Sequence, residues 1–462
     1  MTRLLLFLVM AFVPAVQLAS AQTAASISAR IDRAARFYRN RDGFMGVVAV
    51  SRDHHVIFQR GYGSANLEWQ IPFTPDTRFR IGSLSKQFTA AAILLLQQDG
   101  KLRTGDSLSR LLPKSPAAWK NVTLRNLLTQ TSGIPDVDFG LILKDSPHSP
   151  EELMRSNLDK PLEFQPGSKF AYANINYMLL GQVIEQASGE SYCRFLEEKI
   201  FRPLRLTETG CDWKSSLDRH RAYGYRPSAR GPVTVEDDDL SSIAGAGSLY
   251  SSAGDLIRWT EALHDGKVLS PVGLAEMTKP FLDGYGYGLE MDGEGETFDI
   301  SHNGSVDGFF SFLDYLPQSK TTVVVLSNLV VEGNWSAPGA GALDTEIVHL
   351  CMNKNAVLPS EGKEASVPES VLRAYVGRYR SADTEHPQFL LLALKDGALY
   401  LQDEGDRSGS SRMMAESASR FYLKNQEVEI TFIPGSPVSF QMVDLAGITG
   451  NVFTRTQDHA LQ

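Results

Sequence analysis

The chain has 462 residues, with 45 Lys and Arg against 54 Asp and Glu, a formal net charge of −9. That acidic balance argues against nucleic acid or an anionic membrane surface as partner. The length allows one large domain plus a small one, and 42% apolar residues supply a sizeable core.

The N-terminus reads MTRLLLFLVMAFVPAVQLASAQ. Arg3 is a short positive region, Leu4 to Val16 an apolar run, and Ala19-Ser20-Ala21 a small-residue cleavage site. This is the pattern of a secretory signal peptide over residues 1–21. The run is too short to span a bilayer, and no cysteine near the cleavage site offers a lipid anchor. The expectation is an exported protein, periplasmic or secreted, without a stable membrane anchor. The three cysteines are Cys193, Cys211 and Cys351. So few do not make a disulfide framework. We read them as packed thiols, and one Cys193–Cys211 bridge is the alternative left open.

Ile27, Ile31, Ala34 or Ala35, and Tyr38 have helical spacing. Residues 43–68 read as two strands around a turn at Asp53. A buried helix follows Ser83 and stops at Gly100. From about Leu108 to Leu204 the pattern is mainly helical, including segments over 149–159, 175–190 and 191–201, and another helix follows over 253–266. Strands return in GYGYGLEM, FDISHNGS, GFFSFLDYL and TTVVVLSNL, with a turn at Pro317 to Ser319 between the last two. Strands at both ends with helices between predict an α/β (α+β) domain over 27–350, an antiparallel sheet flanked by helices with a helical insertion at about 107–235. A polar stretch over 351–368 reads as a linker. Beyond it, 369–455 alternates in the strand manner, with a turn at Lys395-Asp396-Gly397, and predicts a small all-β barrel.

One lysine carries the chemistry. Lys86 lies in the first turn of a helix that is apolar almost all the way round, and lysine is rarely buried without a partner. Ser83 is three residues earlier, on the same face. A serine needs a base to become a nucleophile, and a desolvated lysine has its pKa pulled toward the range of a working base. A second Ser-x-x-Lys, Ser360 to Lys363, lies in the linker with no helical pattern around it, and we set it aside. Two more elements complete a set: Tyr172-Ala173-Asn174 before a helix, and His302-Asn303-Gly304 at the end of a strand. Tyr38-Arg39-Asn40 and His264-Asp265-Gly266 match the same spacings at helix ends, without the context of a site. His54 and His55 fall in a turn and no His-Glu-x-x-His occurs, so no metal and no other cofactor is expected. No Gly-x-Ser-x-Gly elbow is present.

With these motifs in order, the sequence resembles the serine β-lactamase and penicillin-binding superfamily, in its class C-like branch of β-lactamase-related serine hydrolases. FRIGSLSKQFTA, LLTQTSGIPD, FAYANINYMLLGQVIE, GAGSLYSSAGDLIRW and the YGYGLE and SHNG segments carry the resemblance over about 27–350. The tail is similar to the lipocalin-like barrels appended to some members. The resemblance implies Ser83 as nucleophile, Lys86 as its base or relay, and Tyr172 sharing the proton work. It implies substrate contacts from Asn174, His302, Gly304 and Ser305, with an oxyanion hole of the Ser83 and Ser305 N–H groups.

His302 stands where many relatives have lysine. We expect it to bind a substrate carboxylate only when protonated, within the ordinary histidine titration. Gln130, where relatives often have histidine, is expected to be structural. The implied function is hydrolysis of amide or ester bonds in a small-molecule or peptide substrate (a D-amino-acid peptide, an ester or a β-lactam) through a Ser83 acyl-enzyme. The alternative is a non-hydrolytic penicillin-binding or sensing protein on the same fold. The sequence does not name the substrate or the oligomeric state.

Overall fold

The computed structural model describes residues 12–137, 155, 157–212, 220–228, 231–235, 239–331, 337, 339–353, 358, 360, 365–382, 387–404, 410–423, 428–433, 435, 438–444 and 452–456. The chain divides into two compact units. One comprises Met1–Ser28 and Met45–Ala337, the other Ala29–Phe44 and Pro338–Gln462.

The first unit is built on valine-rich strands, whose branched side chains suit a sheet buried on both faces. Strands β1 (Gly46–Arg52) and β2 (His55–Tyr62) form a hairpin. Its turn residues Asp53 and His54 both have positive φ, 47° and 63°, as a tight hairpin turn requires. Two short strands, β3 (Ser64–Asn66) and β4 (Ile71–Pro72), pair with each other. Next come β5 (Phe79–Arg80), β6 (Gly210–Cys211), β7 (Tyr225–Arg226), β8 (Val233–Thr234) and β9 (Leu249–Ser251). The main sheet is completed by β10 (Glu290–Asp292), β11 (Asp299–Val306), β12 (Phe309–Leu316) and β13 (Thr321–Ser327). Its order is β10-β11-β12-β13-β1-β2, all antiparallel. Early and late segments of the chain meet at the β1–β13 pair, where Gly46 faces Ser327 and Arg52 faces Thr321.

The helix Ser85–Gln98 is buried except at Leu95, Gln97 and Gln98. Phe88 stacks on Trp259 at 4.2 Å, and Trp259 donates to Gln87 Oε1. Thr89 donates to the carbonyl of Gly245 and hydrogen-bonds the Tyr192 hydroxyl, each at 2.7 Å. A small sheet, β5-β9-β6, leads into this helix. Arg80 on β5 is buried against Asp212, its Nε 2.5 Å from Oδ2.

Three expectations are corrected. Cys193 and Cys211 are joined in a disulfide, and Cys351 is a buried thiol. The helix Tyr192–Leu196 and β6 bring the two Cα atoms to 6.1 Å, within bridging range, a proximity that spacing alone does not reveal. In GYGYGLEM only Glu290 onward is strand. Gly284 and Gly288 take left-handed φ values of 70° and 67°, which end the extended run. The N-terminal helix runs from Phe12 to Asp42, earlier than its apolar spacing suggests. The helix expected over 149–159 lies largely outside the described residues. Among the described residues, no helix is long and apolar enough to cross a membrane.

In the second unit, eight antiparallel strands close a barrel: β14 (Gly377–Ser381), β15 (Phe389–Lys395), β16 (Ala398–Asp403), β17 (Ser411–Ala415), β18 (Arg420–Leu423), β19 (Val428–Ile433), β20 (Ser439–Asp444) and β21 (Val452–Arg455). Closure is the β14–β21 pair. The Lys395-Asp396-Gly397 turn joins β15 to β16 as expected, with Asp396 and Gly397 both at positive φ. Tyr379, Phe421, Phe432, Phe440 and Phe453 pack in its core. β17 and β21 were not anticipated. Ser-Arg-Met-Met-Ala has no β-branched residue, and β21 is only four residues long.

The disulfide closes a loop of 18 residues in sequence separation, for which chain entropy gives about 3 kcal/mol. Replacing both Cys193 and Cys211 by Ser should lower stability by about that amount in denaturant titration, and a reducing agent should do the same to the wild type. Unchanged midpoints in both would show that the bridge adds nothing.

Candidate active site

Ser83 occupies a single 3₁₀ turn, Gly82–Leu84, between β5 and the buried helix. Two glycines let this turn meet strand β11. Gly82 has φ 50°, and a Cβ on it would lie 2.7 Å from Ser305 N. A Cβ on Gly304 would lie 2.1 Å from Ile81 O and 2.8 Å from Ser83 N. Both are overlaps, so only glycine permits the approach. Ser311 on β12 ties the two backbones together, its hydroxyl shared between Ile81 O at 2.9 Å and Gly304 O at 3.2 Å. The Ser83 N–H thus sits beside the strand that carries His302, Gly304 and Ser305. The Ser305 hydroxyl oxygen is buried and makes no hydrogen bond with the described residues.

Lys86 has no exposed surface. Its Nζ lies 2.9 Å from Ser83 Oγ, 2.8 Å from Asn174 Oδ1 and 2.9 Å from Ala246 O. It also lies 4.9 Å from the centre of the Tyr172 ring and 5.7 Å from that of Tyr177. Burial lowers its pKa to about 7, against the opposing charge of Asp136. The neutral amine fits its three partners. Ala246 O accepts only, and Asn174 Oδ1 accepts only, so they take the two N–H bonds. The lone pair is left facing the Ser83 hydroxyl.

Asp136 fixes the amide of Asn174. Asn174 Nδ2 donates to Asp136 Oδ2 at 3.3 Å, which turns Oδ1 toward Lys86. The other carboxylate oxygen accepts from the N–H of Ile175 at 3.0 Å, at the start of the Asn174–Ser188 helix.

Tyr172 lies just before that helix, 38% exposed. Its hydroxyl end is turned inward, and burial raises its pKa above the ordinary tyrosine value, opposed by hydrogen bonding with the Ser83 hydroxyl. Gln130 holds the segment on both sides. Gln130 O accepts from Ala171 N at 2.9 Å, and Gln130 Oε1 from Ala173 N at 3.1 Å. Gln130 itself is strained into the left-handed region at φ 57°. This is the structural role expected for it.

His302 departs from expectation. It is 3% exposed and both ring nitrogens are engaged. Nδ1 lies 2.5 Å from the carbonyl of Asn303 and Nε2 3.1 Å from the Tyr285 hydroxyl. Burial, then the nearby Lys86, push its pKa down to about 3. An imidazolium at neutral pH, ready to bind a carboxylate, is therefore absent.

The geometry brings Ser83, Lys86, Tyr172 and Asn174 together, and sets β11 beside Ser83 N. Sequence reasoning missed Asp136 and Tyr285. Both lie inside segments that carried the resemblance, TSGIPD and YGYGLE, but neither has a spacing that announces its role.

The family model for beta-lactamase matches residues 31–343. The chain belongs to the beta-lactamase family. It is 27% identical to a penicillin-binding protein of Bacillus subtilis (strain 168) over 420 residues, 85% of this chain and 90% of that relative. Among solved structures it is similar to the D-amino acid amidase of Ochrobactrum anthropi SV3, with TM-score 0.62 and 25% identity over 72% of this chain and 99% of the amidase. In fold it also matches the octameric penicillin-binding protein homologue of Pyrococcus abyssi, with TM-score 0.65 and 24% identity, covering 92% and 99% of the two chains.

Because Asp136 holds the Lys86 pKa up, removing its charge should lower it further. In Asp136→Asn the pH dependence of Ser83 labelling by an active-site phosphonate should keep its rising form, with a midpoint below that measured for the wild type. A midpoint that stayed put or rose would refute this reading of the Lys86 environment.

Proposed function

We propose that the protein is an exported serine hydrolase that opens amide or ester bonds of small substrates through an acyl-enzyme on Ser83. The observation that carries this reading is the fully buried Lys86, with Nζ 2.9 Å from Ser83 Oγ and a pKa lowered to about 7. The neutral amine is thus accessible near neutral pH, held against the nucleophile.

The steps follow from the groups present. Lys86 Nζ takes the Ser83 proton as Oγ bonds to the substrate carbonyl carbon. The negative charge that develops on the carbonyl oxygen is stabilised by the N–H groups of Ser83 and Ser305. The leaving nitrogen or oxygen departs with a proton delivered by Tyr172, which regains one from Lys86. A water then repeats the sequence on the acyl-enzyme, with Lys86 again accepting the proton. Tyr172 is a donor rather than the base here, because its raised pKa keeps the phenol protonated.

The amidase likeness supports a D-amino acid amide, ester or peptide as substrate, and the penicillin-binding relative supports acylation by a β-lactam. Export is supported by the signal-like N-terminus and by a disulfide, which persists in oxidising compartments.

The test is labelling with a fluorophosphonate or a penicillin-type probe, followed by mass spectrometry and by turnover of a chromogenic ester, a chromogenic β-lactam and D-amino acid amides. The adduct should fall on Ser83 and vanish in Ser83→Ala. Lys86→Ala and Tyr172→Phe should stay folded and acylate about 10²–10⁴-fold more slowly. A label that survives Ser83→Ala would overturn the proposal. Acylation on Ser83 without turnover of any substrate would favour the penicillin-binding or sensing alternative.

A further inference from the structure

We infer that Tyr285 is a positioning residue that withholds His302 from the substrate, so that the β11 side of the cleft receives an uncharged amide or ester group rather than a carboxylate. The inference rests on the proposed hydrolase reading for its substrate class, but its structural half stands alone.

The argument is one of hydrogen-bond roles. The carbonyl of Asn303 can only accept, so His302 Nδ1, 2.5 Å away, carries the ring proton. Nε2 of the neutral ring is then an acceptor, and the Tyr285 hydroxyl at 3.1 Å is its donor. Both nitrogens are used within the protein. Neither a positive charge nor a free N–H is offered to a ligand. Tyr285 is itself fixed: it is 1% exposed, packs edge-on to the imidazole at 5.8 Å, and lies 5.5 Å from the Phe170 ring and 6.2 Å from the Tyr172 ring.

The groups around the imidazole act in the same direction. Lys86, across the cleft on its own helix, repels a second positive charge. Tyr172 and Tyr177 are neutral phenols, and the Tyr177 hydroxyl and the Gln130 amide interact with Tyr285. Glu290 on β10 is an acidic group felt by both Tyr172 and Tyr285, and its own charge is disfavoured by burial, while Tyr172 also feels Asp136. The exposed residue next to His302 on β11 is the neutral Asn303.

The structural half is tested on the full-length chain by ¹⁵N NMR with labelled histidine, the His302 signals being those lost in His302→Gln. His302 should show the Nδ1–H neutral tautomer from about pH 5.5 to about pH 8, a window that brackets an ordinary histidine. In Tyr285→Phe, where burial and Lys86 still act, the midpoint should rise toward that window without reaching the ordinary value. An Nε2–H tautomer, or titration near the ordinary value in the wild type, would overturn the inference whether or not the variant folds. An identical titration in a folded Tyr285→Phe would remove Tyr285 from the account.

The functional half is the ratio of kcat/KM for a neutral ester and its carboxylate-bearing analogue. The ratio should be flat with pH in the wild type. In Tyr285→Phe it should move toward the carboxylate by up to about fivefold as pH falls, the size of a partly exposed ion pair. A wild-type ratio that swings with pH would contradict the inference. If no substrate turned over, the hydrolase reading would fail while the tautomer measurement still decided the role of Tyr285.

Discussion

A charged amine removed from water is costly unless it is paired, and Lys86 is removed from water completely. The protein resolves this by letting the lysine lose its proton near neutral pH. Among the described residues, no carboxylate hydrogen-bonds Nζ. Its partners are an amide oxygen, a backbone carbonyl and the Ser83 hydroxyl, all neutral. Asp136 is held one residue back, behind Asn174, close enough to moderate the shift but not to lock the charge in place. Much of the surrounding structure serves this arrangement. Gly82 and Gly304 let β11 reach the Ser83 turn, Gln130 fixes the loop of Tyr172, and the segment around Ala246 closes over the helix.

The same helix shows why the lysine was legible in the sequence. An apolar stretch with one cation in its first turn breaks the rule that lysines stay wet, and a rule broken in a buried element marks a functional position. Ser83, Tyr172, Asn174 and His302 could be found because each belongs to a short motif with strand, loop or helix context. The antiparallel sheet was legible because Val47 to Val50 and Thr321 to Ser327 have no other stable use than a buried strand.

What was hidden in and around the site depends mostly on contacts between segments apart in the chain. The bond from Asn174 to Asp136 spans 38 residues, and the role of Asp136 exists only through it. The pairing of Cys193 with Cys211 needs β6 to lie beside a helix. The state of His302 was misjudged because a lone sequence position carries no information about burial, and burial sets the sign and size of its shift. A lysine at that position would have to keep its charge beside Lys86. A neutral histidine, hydrogen-bonded to Tyr285, avoids that conflict.

The central claim is that Lys86 is a neutral amine at work, and its own titration tests it most directly. NMR of ¹³C-labelled lysine in the full-length protein, with the Lys86 signal identified by its loss in Lys86→Arg, would follow the carbons next to Nζ through pH. The account requires a midpoint near 7 for Lys86 while exposed lysines titrate near their ordinary value of about 10.4. A Lys86 midpoint at that ordinary value would mean a permanent cation beside Ser83, and the amine could not be the base.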